Sequence, residues 1–64
     1  MEKLRELRQE LNLTQKQIAE AVGLNWRTIS QYELGITEPD IKTLIKLSKF
    51  LGVTVGQLLG VEDY

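Results

Sequence analysis

Glycine punctuation constrains this chain more than any other feature. Gly23, Gly35, Gly52, Gly56 and Gly60 are spread along the chain together with a single proline, Pro39. Between these breaks apolar residues recur at period 3.6, and no stretch alternates at period 2. The pattern predicts an all-α fold of five short helices. The first runs from about Glu2 to Leu11, with Leu4, Leu7 and Leu11 as its stripe. The second opens at Thr14, where Thr14 and Gln17 form a capping box, and stops at Gly23 with Leu24 as the apolar residue behind the glycine. Ile18, Ala21 and Val22 are its predicted inner residues. Asn25 caps the third helix, which runs to about Leu34 and closes at Gly35, with Ile29 and Tyr32 inward. Asp40 caps a fourth bearing Ile41, Leu44, Ile45, Leu47, Ser48 and Leu51. Thr54 and Gln57 form a second capping box and open a fifth with Leu58 and Leu59. Val61 to Tyr64 reads as a mobile tail.

With 64 residues, there is room for one domain, 1–64. A chain of this size buries only about 60% of its unfolded surface. It contains no cysteine and no histidine. That excludes a disulfide framework, a thiolate or imidazole zinc site and a histidine-activated nucleophile. No apolar run reaches the roughly 18 residues of a membrane span, and the N-terminus does not resemble a secretion signal, so a cytoplasmic protein is expected. Net charge is −1, so bulk charge gives no pointer to nucleic acid. The placement of the basic residues has to carry any such reading.

Only Gly23-Leu24-Asn25 separates the second helix from the third. Glycine takes the left-handed turn, Leu24 tucks under, and Asn25 caps at once. So short a connection turns the chain sharply, as a helix-turn-helix requires, although an αα-corner in any helical bundle shares this chemistry.

Two charges fall on apolar faces. Arg8 lies one position past Leu7 and four past Leu4, and Glu33 lies four past Ile29, so at about 100° per residue both point inward. A lone buried charge costs several kcal/mol, which predicts an ion pair locking the first helix to the third. Glu33 has no histidine, second inward carboxylate or metal-ligand cluster beside it, so no catalytic role is expected.

With Ile29, Tyr32 and Glu33 inward, the third helix shows Trp26, Arg27, Thr28, Ser30, Gln31 and Leu34 to solvent. That set suits a DNA major groove. Arg27 can fork onto guanine, Gln31 can pair with adenine, and Thr28 and Ser30 can reach bases or phosphates. Trp26 is read as an apolar contact to thymine methyls or sugars. Gln15 and Lys16 sit at the N-terminus of the second helix, where free N–H groups and the helix dipole favour a phosphate. Lys42 and Thr43 offer a similar anchor in the first turn of the fourth.

From Leu4 to Leu59 the chain resembles the phage-repressor and Cro-like, Xre-type helix-turn-helix family. The matching elements are L-x-x-L-R, L-T-Q-K-Q-I-A-E-A-V-G-L, N-W-R-T-I-S-Q-Y-E-L-G and P-D-I-K-T-L-I-K-L-S-K-F-L-G-V-T-V-G-Q-L-L. The resemblance implies a five-helix, lambda-repressor-like domain with a scaffold helix over about 14–22 and a recognition helix over about 25–34. It implies binding to double-stranded DNA as a homodimer on a palindromic site. Its base-reading positions fall on Trp26, Arg27 and Gln31, with Thr28 and Ser30 nearby. Its phosphate positions fall on Thr14, Gln15 and Lys42, and its inter-helix ion pair on Arg8 and Glu33. The chain departs from the family pattern at Trp26, at Leu34 and in the loop Gly35 to Pro39, which lacks basic residues.

The expected function is therefore sequence-specific DNA binding by a transcriptional repressor or regulator. Neither enzymatic activity nor cofactor, metal or small-molecule substrate is expected. Dimerisation is expected through Leu58, Leu59, Val61 and Tyr64. The alternative is a protein-interaction module on the same scaffold, antitoxin-like or an assembly domain, suggested by Trp26, Leu34, Ile36 and the net charge.

Overall fold

The computed structural model describes residues 1–63. Its helices are α1 (Glu2–Glu10), α2 (Gln15–Val22), α3 (Trp26–Leu34), α4 (Ile41–Leu51) and α5 (Val55–Leu59). Every helix after α1 begins at a side chain that caps it. Thr14 and Thr54 each accept the N–H three residues on, from Gln17 and Gln57, and each glutamine returns its carbonyl to the threonine N–H. Asn25 accepts from the Arg27 N–H and Asp40 from the Thr43 N–H, both at 2.8 Å. Those bonds satisfy donors that no helical carbonyl can reach.

The exits are equally local. Gly23 takes φ 75°, ψ 30°, and the Leu24 N–H behind it closes onto the Ala19 carbonyl at 2.8 Å. A residue with a Cβ is strained in that left-handed region, which is why glycine stands there. α1 closes with the same pair of backbone bonds, on asparagine in place of glycine. Leu11 and Asn12 form a turn, Asn12 itself adopts φ 56°, and the Leu13 N–H returns to the Arg8 carbonyl at 3.0 Å. Asparagine tolerates this conformation better than most residues.

All five helices contribute to one core. Leu4 and Leu7 of α1 meet Ile18, Ala19 and Val22 of α2, Ile29 and Tyr32 of α3, Leu47 and Leu51 of α4, and Leu58 of α5. Leu4, Ile18, Ile29, Leu47 and Leu58 are fully buried. Burying each contributes about 1.5–3 kcal/mol of transfer free energy. Met1, Leu13, Leu24, Leu44 and Val53 pack around them. Among the described residues no helix is long and apolar enough to cross a membrane.

Several expected facings are corrected. Ala19, not Ala21, is the buried alanine of α2. At 100° per residue it falls on the far side of Val22 from Ile18, so the stripe is centred one step round from the expected one. Leu11 is exposed because α1 ends at Glu10 and the chain turns away before Leu11 can pack; Leu13 takes its place at the core. Ile41 and Ile45 of α4 face solvent. As far as Asp63 the tail makes hydrogen bonds back to the start of α5. The Thr54 hydroxyl donates to Glu62 Oε1 at 2.7 Å, and Gln57 Nε2 donates to the Asp63 carbonyl at 3.0 Å. Of the expected dimer cluster, Leu58 belongs to the core while Leu59 and Val61 are exposed. Tyr64 lies outside the described residues.

Candidate nucleic-acid interface

Among the described residues, α2 and α3 pack against each other more extensively than any other pair of helices. Gly23, Leu24 and Asn25 form the sharp connection between them. Leu24 is half-buried against the core, and Asn25 caps α3. The two helices thus form a rigid unit whose outer surface is set by what α3 buries.

A polar lock fixes α3 from behind. Arg8 grips Glu33 side-on, with Nε 2.6 Å from Oε2 and Nη2 3.1 Å from Oε1. Its Nη1 donates to the Leu13 carbonyl at 3.0 Å. Gln15 Nε2 adds a third donor to Glu33, 3.1 Å from Oε1. Glu33 is buried, and charge-assisted two-pronged pairing of this kind is geometrically specific as well as strong. The lock therefore joins α1, the start of α2 and α3. The part played by Gln15 could not be read from the sequence. It depends on the α2–α3 crossing, and no local spacing encodes that. The same bond means that one Gln15 N–H is already committed inside the protein.

The other face of α3 carries the candidate reading residues. Arg27 and Gln31 are exposed, Trp26 is 46% exposed, and Thr28 and Ser30 are half-buried. The Arg27 guanidinium lies over the Trp26 ring, 5.6 Å from its centroid. Thr14, Gln15, Lys16 and Trp26 line one shallow cleft, so the N-termini of α2 and α3 open on the same side. The capping box uses the N–H groups of Thr14 and Gln17. Those of Gln15 and Lys16 lie in the first turn, where helix geometry supplies no acceptor.

The start of α4 is different. Thr43 spends its N–H on the Asp40 carboxylate. Hydrogen bonds from the Thr43 side chain and then its backbone N–H, with lesser help from Lys42 and Lys46, hold the Asp40 carboxyl below the usual carboxylate range. An acid thus already sits at this helix end, and Lys42 is the exposed cation beside it. Tyr32 connects α3 to the same corner: burial, and then the charge of Asp40, raise its phenol above the ordinary value.

The profile of the helix-turn-helix family matches residues 4–58. The chain belongs to that family. Within it, this helix-turn-helix protein is similar to phage repressors and Xre-type regulators. The transcriptional repressor RstR of the cryptic phage CTXphi from Vibrio cholerae is 39% identical over 61 residues, covering 95% of this chain and 55% of that protein. The regulator DdrOP3 of Deinococcus deserti is 47% identical over 64 residues, covering 98% of this chain and 50% of that protein. The chain thus spans about half the length of these two relatives. Among solved structures, the P22 c2 repressor in complex with a synthetic operator superimposes with a TM-score of 0.89 at 34% identity, covering 95% of this chain and 92% of that one. The five-helix, lambda-repressor-like architecture expected from the sequence is therefore the one the helix-turn-helix chain adopts.

Proposed function

We propose that this helix-turn-helix chain binds double-stranded DNA sequence-specifically and regulates transcription, with α3 as the recognition helix in the major groove. One observation carries the reading. Trp26 borders the same cleft as the first turn of α2, whose Gln15 and Lys16 N–H groups have no helical acceptor, and Arg27 and Gln31 are exposed on the same helix as Trp26. A helix presenting base-reading side chains beside a phosphate-binding helix end is what groove docking requires. The likeness to a repressor solved with its operator supports it.

In this reading Arg27 and Gln31 contact base edges, Trp26 makes the apolar contact, and Thr28 and Ser30 assist from the flanks. Thr14, Gln15 and Lys16 seat a phosphate at α2. Lys42 supplies charge at α4, beside Thr43, whose N–H and side chain both serve Asp40. The chain acts in the cytoplasm, without catalysis, and binds a palindromic site as a homodimer through its C-terminal surface. Repression follows from occupancy, since a covered operator excludes polymerase.

The test is selection of bound duplexes from a random pool, followed by titration of the winner and of random duplex across a salt series. Enrichment of a two-fold symmetric site and a linear fall of log affinity with log salt are expected. A protein-interaction module, for which exposed Leu34 and Ile36 speak, would instead give no enriched sequence.

A further inference from the structure

We infer that Trp26 and Arg27 read DNA as one unit, recognising a guanine stacked beside a base pair that carries a 5-methyl group, which in ordinary DNA is thymine. The inference rests on the major-groove reading of α3 and specifies its target. The Arg27 guanidinium lies over the Trp26 ring, 5.6 Å from the centroid and within cation–π range. Asn25 holds the Arg27 N–H at 2.8 Å, so the turn bearing both side chains is capped. Trp26 borders one cleft together with Thr14, Gln15 and Lys16, and 46% of it is open to solvent.

The chemistry follows from base-pair geometry. Guanine offers N7 and O6 in its own plane, so a guanidinium bonding to both lies in that plane. One base step rises about 3.4 Å, close to the contact distance of stacked π-systems. A ring that closes from the 5.6 Å of the free chain to stacking contact with the docked guanidinium lies level with the neighbouring base pair. Thymine projects its methyl group into the groove there, and cytosine projects an amino donor that an indole edge cannot accept. Stacking also pre-orients a long side chain, so less freedom is lost when it docks.

The test uses the selected duplex and its analogues. Wild-type protein is expected to enrich a guanine beside a thymine in each half-site. Replacing that thymine by uracil, which removes only the methyl, should weaken wild-type binding about fourfold, the worth of one buried methyl-sized group. Trp26→Ala should bind the thymine and uracil duplexes alike and lose part of its guanine preference. Arg27→Lys, which cannot fork, should lose that preference outright. The uracil comparison uses unaltered protein and is independent of how the variants fold. An undiminished guanine preference in Trp26→Ala, or no effect of uracil on wild type, would overturn the unit. A well-enriched site lacking guanine beside thymine would also overturn it while leaving DNA recognition standing. No enrichment at all would remove both.

Discussion

Arg8 and Glu33, twenty-five residues apart, meet through two hydrogen bonds of 2.6 and 3.1 Å. Their side chains are 14% and 4% exposed. Removing the carboxylate would leave the guanidinium with only the Leu13 carbonyl, and would strand the Gln15 amide. Glu33→Ala is expected to cost about 3–5 kcal/mol, towards the lower figure because water reaches Arg8. Urea unfolding measures this directly. A wild-type midpoint in the variant would show that the pair contributes nothing.

Leu58 and Leu59 are adjacent but do different work. Leu58 is fully buried in the core and Leu59 is half-exposed. Leu58→Ala should destabilise the chain by about 2–5 kcal/mol at any protein concentration. Leu59→Ser and Val61→Ser should each change stability by less than about 0.5 kcal/mol. If the C-terminal surface forms the dimer, the pair together should shift the sedimenting DNA complex from two chains per operator to one. Unchanged sedimentation would place the dimer contact elsewhere.

Asp40 makes the stability of α4 pH-dependent. Its folded carboxyl titrates below the ordinary value near 3.9, so its contribution is complete above that value. It is lost as pH falls through the still lower folded value. Asp40→Asn keeps a capping side chain without the titrating charge. Thermal midpoints recorded from pH 2 to 7 should show wild type falling more steeply than Asp40→Asn below about pH 4. Asp40→Ala should be less stable throughout. Parallel wild-type and Asp40→Asn curves would mean that the Thr43 hydrogen bonds do not depend on the charge.

Arg27 and Lys42 separate reading from attraction. Arg27→Ala should reduce discrimination at one or two positions of each half-site by roughly 1–3 kcal/mol. Lys42→Ala should weaken all sequences about equally and lower the salt slope by about 1. Competition titrations with selected and random duplexes distinguish the two. An equal loss on both duplexes for Arg27→Ala would make it a phosphate contact.

The sequence by itself determined where the helices begin and end. Thr14 with Gln17, Asn25, Asp40, Thr54 with Gln57, and the glycines behind α2 to α5 act within a few residues, so their effect can be read from spacing alone. It also placed Arg8 and Glu33 on inner faces and Arg27 and Gln31 on an outer one, because helical periodicity fixes relative angles along one element. Tertiary structure decided whatever depends on which neighbour a face meets. Ala19 rather than Ala21 enters the core, Ile41 and Ile45 are left in solvent, Gln15 turns to Glu33, and Glu62 returns to Thr54. Periodicity gives the width of an apolar stripe, but the crossing of two helices chooses its centre and the polar groups that meet there.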